Sequence, residues 1–328
     1  MSRVTVFTLG GTISARGGDA ARMTGQEVLA GLGAPEDVEL RDFRRVPSST
    51  LSFEDLAALA EEVRAAVAAG SGVVVVQGTD TLEETAFLLD LLCTTEQPIV
   101  VTGAMRRPDL PGADGPANLA AALAVAAHPA CRNLGVLVVL ADEIHAARLA
   151  RKTHTTSIAT FASPGAGPIG TVVEGEPRIL LRPAAPTALC PLKFDPSVRV
   201  ALVTLSLGDR GELLDAVDDR FQGLVVAAFG AGHAPAPLVE PLAEIARRIP
   251  VVLASRTGGG PTLSHTYRSP GSEHDLLHHG LIPAGPLDPA KARILLHTLI
   301  SSGAAGPAGY DRPRIAAVFT HLNGSGLA

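Results

Sequence analysis

Short runs rich in Val, Ile and Leu alternate along this chain with longer stretches of Ala, Leu and Glu, and that alternation decides what it can fold into. Residues 4–9, 38–46, 72–77, 98–102 and 135–140 read as strands, several of them apolar throughout and so covered on both faces. Between them Leu56, Leu59, Ala60, Val63 and Val67 recur at the spacing of one helix face. Ser52 and Asp55 stand as that helix's capping box, and Thr81 with Glu84 repeats the device ahead of 85–93. Residues 115–128 form a further Ala-rich helix. Strands and helices in this alternation predict a parallel sheet with helices on both faces.

At 328 residues the chain exceeds the size at which one core stops growing, so two domains are expected. Residues 143–197 lose the alternation, and 182–196 carries four prolines. Past that point strands at 198–205, 223–229 and 250–255 alternate with helices near 211–219, 237–248 and 289–302. The expected architecture is α/β, with a larger N-terminal, doubly wound, mainly parallel sheet domain (1–183). A linker (184–197) joins it to a smaller C-terminal α/β domain (198–328).

Composition removes several function classes. Disorder does not fit 46% hydrophobic residues. A net charge of −6, with no Lys/Arg run longer than two, gives no basic face for nucleic acid. Aromatics are 3% with no Trp, too few for base-stacking platforms. Cys93, Cys131 and Cys190 lie far apart and read as small buried apolar residues in a reducing compartment. The chain enters a strand near Arg3 without an apolar leader, and no stretch reaches the ~20 apolar residues of a membrane span. A soluble cytoplasmic protein with no membrane partner is expected.

In a doubly wound sheet, ligands bind where strands end and helix N-termini converge. Four successive strands here end in polar, glycine-containing or hydroxyl-rich turns: Gly10-Gly11-Thr12, Ser48-Ser49-Thr50, Gly78-Thr79-Asp80-Thr81 and Gly103-Ala104-Met105. In a parallel sheet all four share one edge, so Thr12, Ser48, Ser49 and Thr79 face a crevice with Asp80, a site for something small carrying an amine. Taken singly, each turn has a plainer reading. Gly-Gly-Thr matches neither dinucleotide nor P-loop patterns and could be a tight turn. Thr79 and Asp80 could simply start the next helix, and Lys152 could be a solvated loop lysine. His274 and His278 could share a helix face around zinc, but without a clear third ligand a polar surface is preferred and no metal is expected.

Taken in order, the motifs are more specific. Thr8-Leu9-Gly10-Gly11-Thr12-Ile13 is followed by the stretch from Gln77-Gly78-Thr79-Asp80-Thr81 to Ala86. Then come Thr102-Gly103-Ala104-Met105-Arg106 and Ala113-Asp114-Gly115-Pro116-Ala117-Asn118-Leu119. This series resembles the bacterial L-asparaginase family, the asparaginase/glutaminase class with a threonine nucleophile. The resemblance continues through Lys152-Thr153 and Ala159-Thr160-Phe161 to Leu287-Asp288-Pro289-Ala290-Lys291-Ala292-Arg293.

The resemblance implies that Thr12 attacks a side-chain amide and that Thr79, Asp80 and Lys152 form a second catalytic group. A threonine hydroxyl needs a base to take its proton, and burial among hydroxyls favours the neutral, proton-accepting form of a lysine. Amides near Gly11 and Thr79 would hold the oxyanion. Ser48, Ser49 and Asp80 match residues that bind the α-carboxylate and α-amine, with Gly11, Gly78 and Ala104 completing the substrate set. Glu273 matches a catalytic glutamate supplied by a neighbouring subunit, in a homotetramer built of intimate dimers.

The expected activity is asparagine amidohydrolysis through an acyl-enzyme, without metal or organic cofactor. The rivals are a glutaminase, an ammonia-generating amidotransferase subunit, or a non-catalytic amino-acid sensor. Such subunits usually add an N-terminal domain, which the first strand at Arg3 argues against. One departure stands out. The family carries a tyrosine in the loop after the nucleophile, and residues 14–24 contain none; Tyr267 and Tyr310 are the only two in the chain.

Overall fold

A strand buried at every position needs cover on both sides, and Val4–Thr8 (β1) and Gly72–Val76 (β3) are such strands. The computed structural model describes residues 3–16, 21–30, 37–183, 194–306 and 309–324, in two compact units, Met1–Cys190 and Pro191–Ala328. The expected linker at 184–197 lies outside the described residues up to 193, as does Cys190.

The first unit is built on one eight-stranded sheet. Its further strands are Val38–Asp42 (β2), Ile99–Thr102 (β4), Val136–Leu140 (β5), Glu143–Ala146 (β6), Gly170–Val173 (β9) and Glu176–Ile179 (β10). A separate two-stranded ribbon, Arg151–Lys152 (β7) with Phe161–Ala162 (β8), is inserted between β6 and β9. The sheet order is β10-β9-β6-β5-β4-β3-β1-β2; β2, β1, β3, β4 and β5 run parallel, and β6, β9 and β10 extend the sheet antiparallel. On one face Val4, Val6, Val74, Val76, Leu137 and Val139 meet Leu119, Ala122 and Val125 of the helix Gly115–Ala127 (α3). Their buried alternates Phe7, Val73, Val75, Val101 and Val138 point the other way. There Phe53–Ala68 (α1) and Leu82–Leu92 (α2) contact the sheet. The sheet is doubly wound, as the alternation requires.

The chain leaves β1 for β2 on one side and returns to β3 on the other. That reversal opens a crevice beyond the carboxyl ends of β1 and β3, where ligands bind in sheets of this kind.

In this unit two local expectations need correction. The Ser52–Asp55 capping box forms, but Thr81 makes no cap bond to its helix; its hydroxyl donates instead to the Ser48 carbonyl at 3.0 Å. The strand expected to run to 46 ends at Asp42, because the Phe43 and Arg44 amides both turn onto the Thr8 carbonyl.

The second unit repeats the scheme in smaller form. Val200–Thr204 (β11), Gly223–Ala228 (β12), Val251–Ser255 (β13) and Ile282–Pro283 (β14) are parallel in that order. Val239–Arg248 (α4) and Glu273–His278 (α5) contribute Leu242, Ile245 and Leu276 to one core cluster, while Pro289–Leu299 (α6) packs on β11, β12 and β13. A last helix, Arg312–Gly324 (α7), contacts β14. No helix forms at 211–219: Gly211 has φ +87°, and Leu214 and Val217 close successive three-residue turns that bury both side chains. Among the described residues no helix is long and apolar enough to cross a membrane.

Candidate active site

Three strand-end turns are drawn together by missing side chains. Gly11 has φ +91°, and a Cβ there would lie 2.2 Å from the Gly78 nitrogen and 2.3 Å from its Cα. A Cβ on Gly78 would in turn stand 2.7 Å from Ser48 Oγ. Only glycine permits both approaches. Thr12 follows at once, half-buried, opening a 3-10 turn (Thr12–Ser14) in which Ser14 Oγ donates to the Gly11 carbonyl at 3.0 Å.

Ser48 fastens the second turn to the third. Its buried Oγ accepts the Asp80 amide at 3.1 Å while its carbonyl accepts from Thr81. Ser49 is exposed beside it.

The third turn receives a lysine from the β7–β8 ribbon. Lys152 Nζ donates to Thr79 Oγ1 at 3.0 Å and to Asp80 Oδ1 at 3.1 Å. The lysine side chain is 20% exposed against 63% for the aspartate, so this is not a solvated loop lysine. Its backbone is held twice, by ribbon pairing to Phe161 and by its amide donating to Glu83 Oε2 at 2.7 Å. Thr79 is buried, and its hydroxyl proton points to Met105 Sδ at 3.3 Å.

Met105 is fixed in turn by Asp114, whose carboxylate accepts the Met105 amide at 3.1 and 3.0 Å and the Arg106 amide at 2.8 Å. Asn118 donates to the Gly103 carbonyl and to Asp114, and accepts from the Ala141 amide. The stretch 113–119 was visible as a motif in the sequence, but its work as a brace for the fourth turn was not; nor was the anchoring of Lys152 by Glu83. Ala104 is fully buried, its methyl in the core cluster and against Gly115, so it can meet a ligand only through its main chain.

An open cleft of about 520 Å³ lies over the pair, lined by Asp80, Lys152, Thr153, His154 and Thr155. Among the described residues no three His, Cys, Asp or Glu side chains gather as a metal would require.

Glu273 belongs to the second unit and is fully buried there. It accepts the Thr266 and Tyr267 amides at 3.0 and 2.8 Å and faces His233 Nε2 at 3.1 Å. Burial pushes its pKa up, but the bonds from Tyr267, its own backbone, His233 and Thr266 together hold it below the usual glutamate value. Within this unit the carboxylate acts on the chain itself, fixing the loop that carries Tyr267. That ring is 48% exposed and meets the His233 ring edge-on at 4.8 Å.

Comparison with known proteins follows the same outline. The family model for the asparaginase N-terminal domain matches residues 3–185, and the model for the glutaminase/asparaginase C-terminal domain matches 199–309. A probable L-asparaginase of Deinococcus radiodurans is 34% identical over 311 residues, covering 93% of this chain and 95% of that protein. A probable periplasmic L-asparaginase of Haemophilus influenzae is 31% identical, covering 92% and 89%. The crystal structure of a probable cytoplasmic L-asparaginase from Campylobacter jejuni superposes with a TM-score of 0.87 at 28% identity, covering 98% of this chain and 99% of that one.

Proposed function

Because the chain belongs to the asparaginase/glutaminase family, we propose that it hydrolyses the side-chain amide of L-asparagine to L-aspartate and ammonia through an ester on Thr12. The observation that carries the reading is Lys152 Nζ set between Thr79 Oγ1 and Asp80 Oδ1 at the sheet's switch point, on the turn whose Gly78 packs against Gly11 of the turn that holds Thr12.

Thr12 Oγ bonds to the amide carbon as its proton passes towards Thr79 and Lys152. The carbonyl oxygen takes the negative charge and is held by backbone N–H groups near Gly11 and Thr79. The C–N bond then breaks and the nitrogen leaves with the relayed proton as ammonia. Water adds to the ester, freeing the carboxylate and restoring the Thr12 hydroxyl. These steps need a nucleophile, a proton relay and an oxyanion hole, and no metal or organic cofactor enters them.

Asp80 offers its exposed carboxylate to the substrate's α-ammonium group. Ser48 Oγ accepts the Asp80 amide and keeps its own proton for the α-carboxylate, with Ser49 and the main chain at Gly11, Gly78 and Ala104 around it. On the same reading 1–183 is the catalytic domain, 184–197 a linker and 198–328 the smaller domain. Glu273 and the loop it anchors are contributed by a neighbouring subunit of a homotetramer. The protein works in the cytoplasm, the compartment named for the Campylobacter jejuni structure; the Haemophilus influenzae relative is described as periplasmic, so cell fractionation decides the point.

The test is ammonia release by the purified protein from L-asparagine, L-glutamine and simple amides. Asparagine is expected to be the preferred substrate. Thr12→Ala should lower kcat by several powers of ten with an unchanged melting temperature. A slow amide substrate should leave a mass adduct on the Thr12 peptide. An alanine variant that keeps turning over would overturn the mechanism, and tight amino-acid binding without turnover would make the protein a sensor.

A further inference from the structure

Where β6 joins the sheet, its central histidine, His145, is buried with a partner on each ring nitrogen. Nε2 lies 3.1 Å from Glu143 Oε2, and Nδ1 lies 2.9 Å from Ser163 Oγ. Burial lowers the ring's affinity for a second proton more than the Glu143 carboxylate raises it. The neutral ring therefore carries its one proton on Nε2, towards the acceptor-only carboxylate, and Nδ1 accepts the Ser163 hydroxyl proton.

Ser163 directly follows β8, whose Phe161 pairs with Lys152. The Thr153 amide closes the same ribbon on the Thr160 carbonyl at 2.7 Å, and the Ser163 carbonyl accepts the Ala166 and Gly167 amides. The hydroxyl of Ser163 thus ties the ribbon bearing Lys152 to a strand of the main sheet, beside the turn in which the Leu149 and Ala150 amides donate to the Ala146 carbonyl and the bond from the Lys152 amide to Glu83. Glu143, His145 and Ser163 stand in the order of an acid, a base and a nucleophile, but Ser163 is buried and the bond fixes it rather than activating it.

We infer that His145 is a positioning residue for the hydrolytic reaction: through Ser163 it sets the ribbon that places Lys152 Nζ between Thr79 and Asp80. The inference rests on the reading of Lys152 as part of the catalytic group. Its two arms can be separated by geometry. An asparagine side chain reaches the position of Nδ1 and keeps an acceptor for Ser163. A glutamine, one bond longer, reaches the position of Nε2 and keeps only the arm to Glu143. Glu143 is 45% exposed, so water can replace its lost donor in the asparagine variant.

The experiment measures kcat, KM for L-asparagine and melting temperature for the full-length wild type, Lys152→Met, His145→Asn, His145→Gln and Ser163→Ala. His145→Gln should lose roughly tenfold to a hundredfold more kcat than His145→Asn, the scale of a small misplacement of a catalytic group. Ser163→Ala should match the glutamine variant, and KM should move by less than about threefold in each, because the arm acts on the lysine and not on substrate binding. Equal kcat in the asparagine and glutamine variants, or a folded Ser163→Ala with wild-type kcat, would show His145 to be a structural residue only. If His145→Gln does not fold, Ser163→Ala, which removes one oxygen, decides the matter alone. Wild-type turnover in Lys152→Met would overturn the catalytic reading of the lysine and this inference with it, whereas collapse there with no Asn/Gln difference overturns the inference alone.

Discussion

Gly11 and Gly78 touch main chain to main chain: a Cβ on Gly11 would sit 2.2 Å from the Gly78 nitrogen. These glycines lie in the turns that follow two adjacent parallel strands, and their contact fixes the spacing between the turn that bears Thr12 and the turn that bears Thr79.

Gly11→Ala should therefore cost both stability and activity. A backbone at φ +91° and ψ −169° is open almost to glycine alone and costs an alanine on the order of 1–3 kcal/mol, and the clash falls on backbone that cannot swing aside. A melting temperature lowered by several degrees, with turnover lost well beyond the folded fraction, is the expected result; an unaltered variant would show that the spacing of the turns does not matter.

Lys152→Met keeps most of the side-chain volume and removes the amine. A lysine serving Thr79 predicts a collapse of kcat with a smaller effect on substrate affinity. A lysine without a role predicts unchanged kinetics and stability within about 0.5 kcal/mol. Steady-state kinetics beside thermal melts separates the two.

Tyr267 offers a half-exposed phenol on a loop pinned by Glu273 and His233. If that hydroxyl replaces the tyrosine absent from residues 14–24, Tyr267→Phe should lower kcat roughly tenfold or more with assembly unchanged. Unaltered kcat, measured on protein of confirmed oligomeric state, would leave Tyr267 as a packing residue.

His297 of α6 is buried against the Phe194 ring, 4.5 Å away between centroids, and burial drops its pKa from 6.5 to about 4, with the Arg293 charge acting in the same direction. Between those two values the unfolded chain binds a proton that the folded chain refuses, so stability falls as pH drops through this window and is recovered as pH rises above 6.5. The loss is on the order of a few kcal/mol. Denaturant midpoints taken from pH 7 to pH 4 should show this dependence in the wild type and a flatter curve in His297→Leu; parallel curves would remove His297 from the account.

The strand-end turns and the order of their motifs were legible in the sequence because parallel β/α alternation puts every such turn on one edge. The capping box of Ser52 and Asp55 was legible for a different reason: it is local. What could not be read is what joins residues distant in the chain. Thr81 abandons its own helix for Ser48, thirty-three positions away. Glu83 holds the Lys152 backbone, and Asp114 braces the turn of Met105, without any spacing that announces it. Residues 143–197 showed only a loss of alternation. Their antiparallel strands and lysine-bearing ribbon are short, and Pro- and Gly-rich composition hides strands of two to four residues. The helix expected at 211–219 failed at Gly211, whose positive φ starts a turn instead.

The hydroxyl of Thr79 spends its proton on Met105 sulfur, 3.3 Å away. A thioether is among the poorest acceptors a protein contains. In the proposed chemistry this makes the relay proton cheap to mobilise: no strong hydrogen bond has to break before it moves, so little of the activation barrier is spent on releasing it. A better acceptor at that position, an amide oxygen for instance, would anchor the hydroxyl more firmly and deepen the well from which the reaction has to climb.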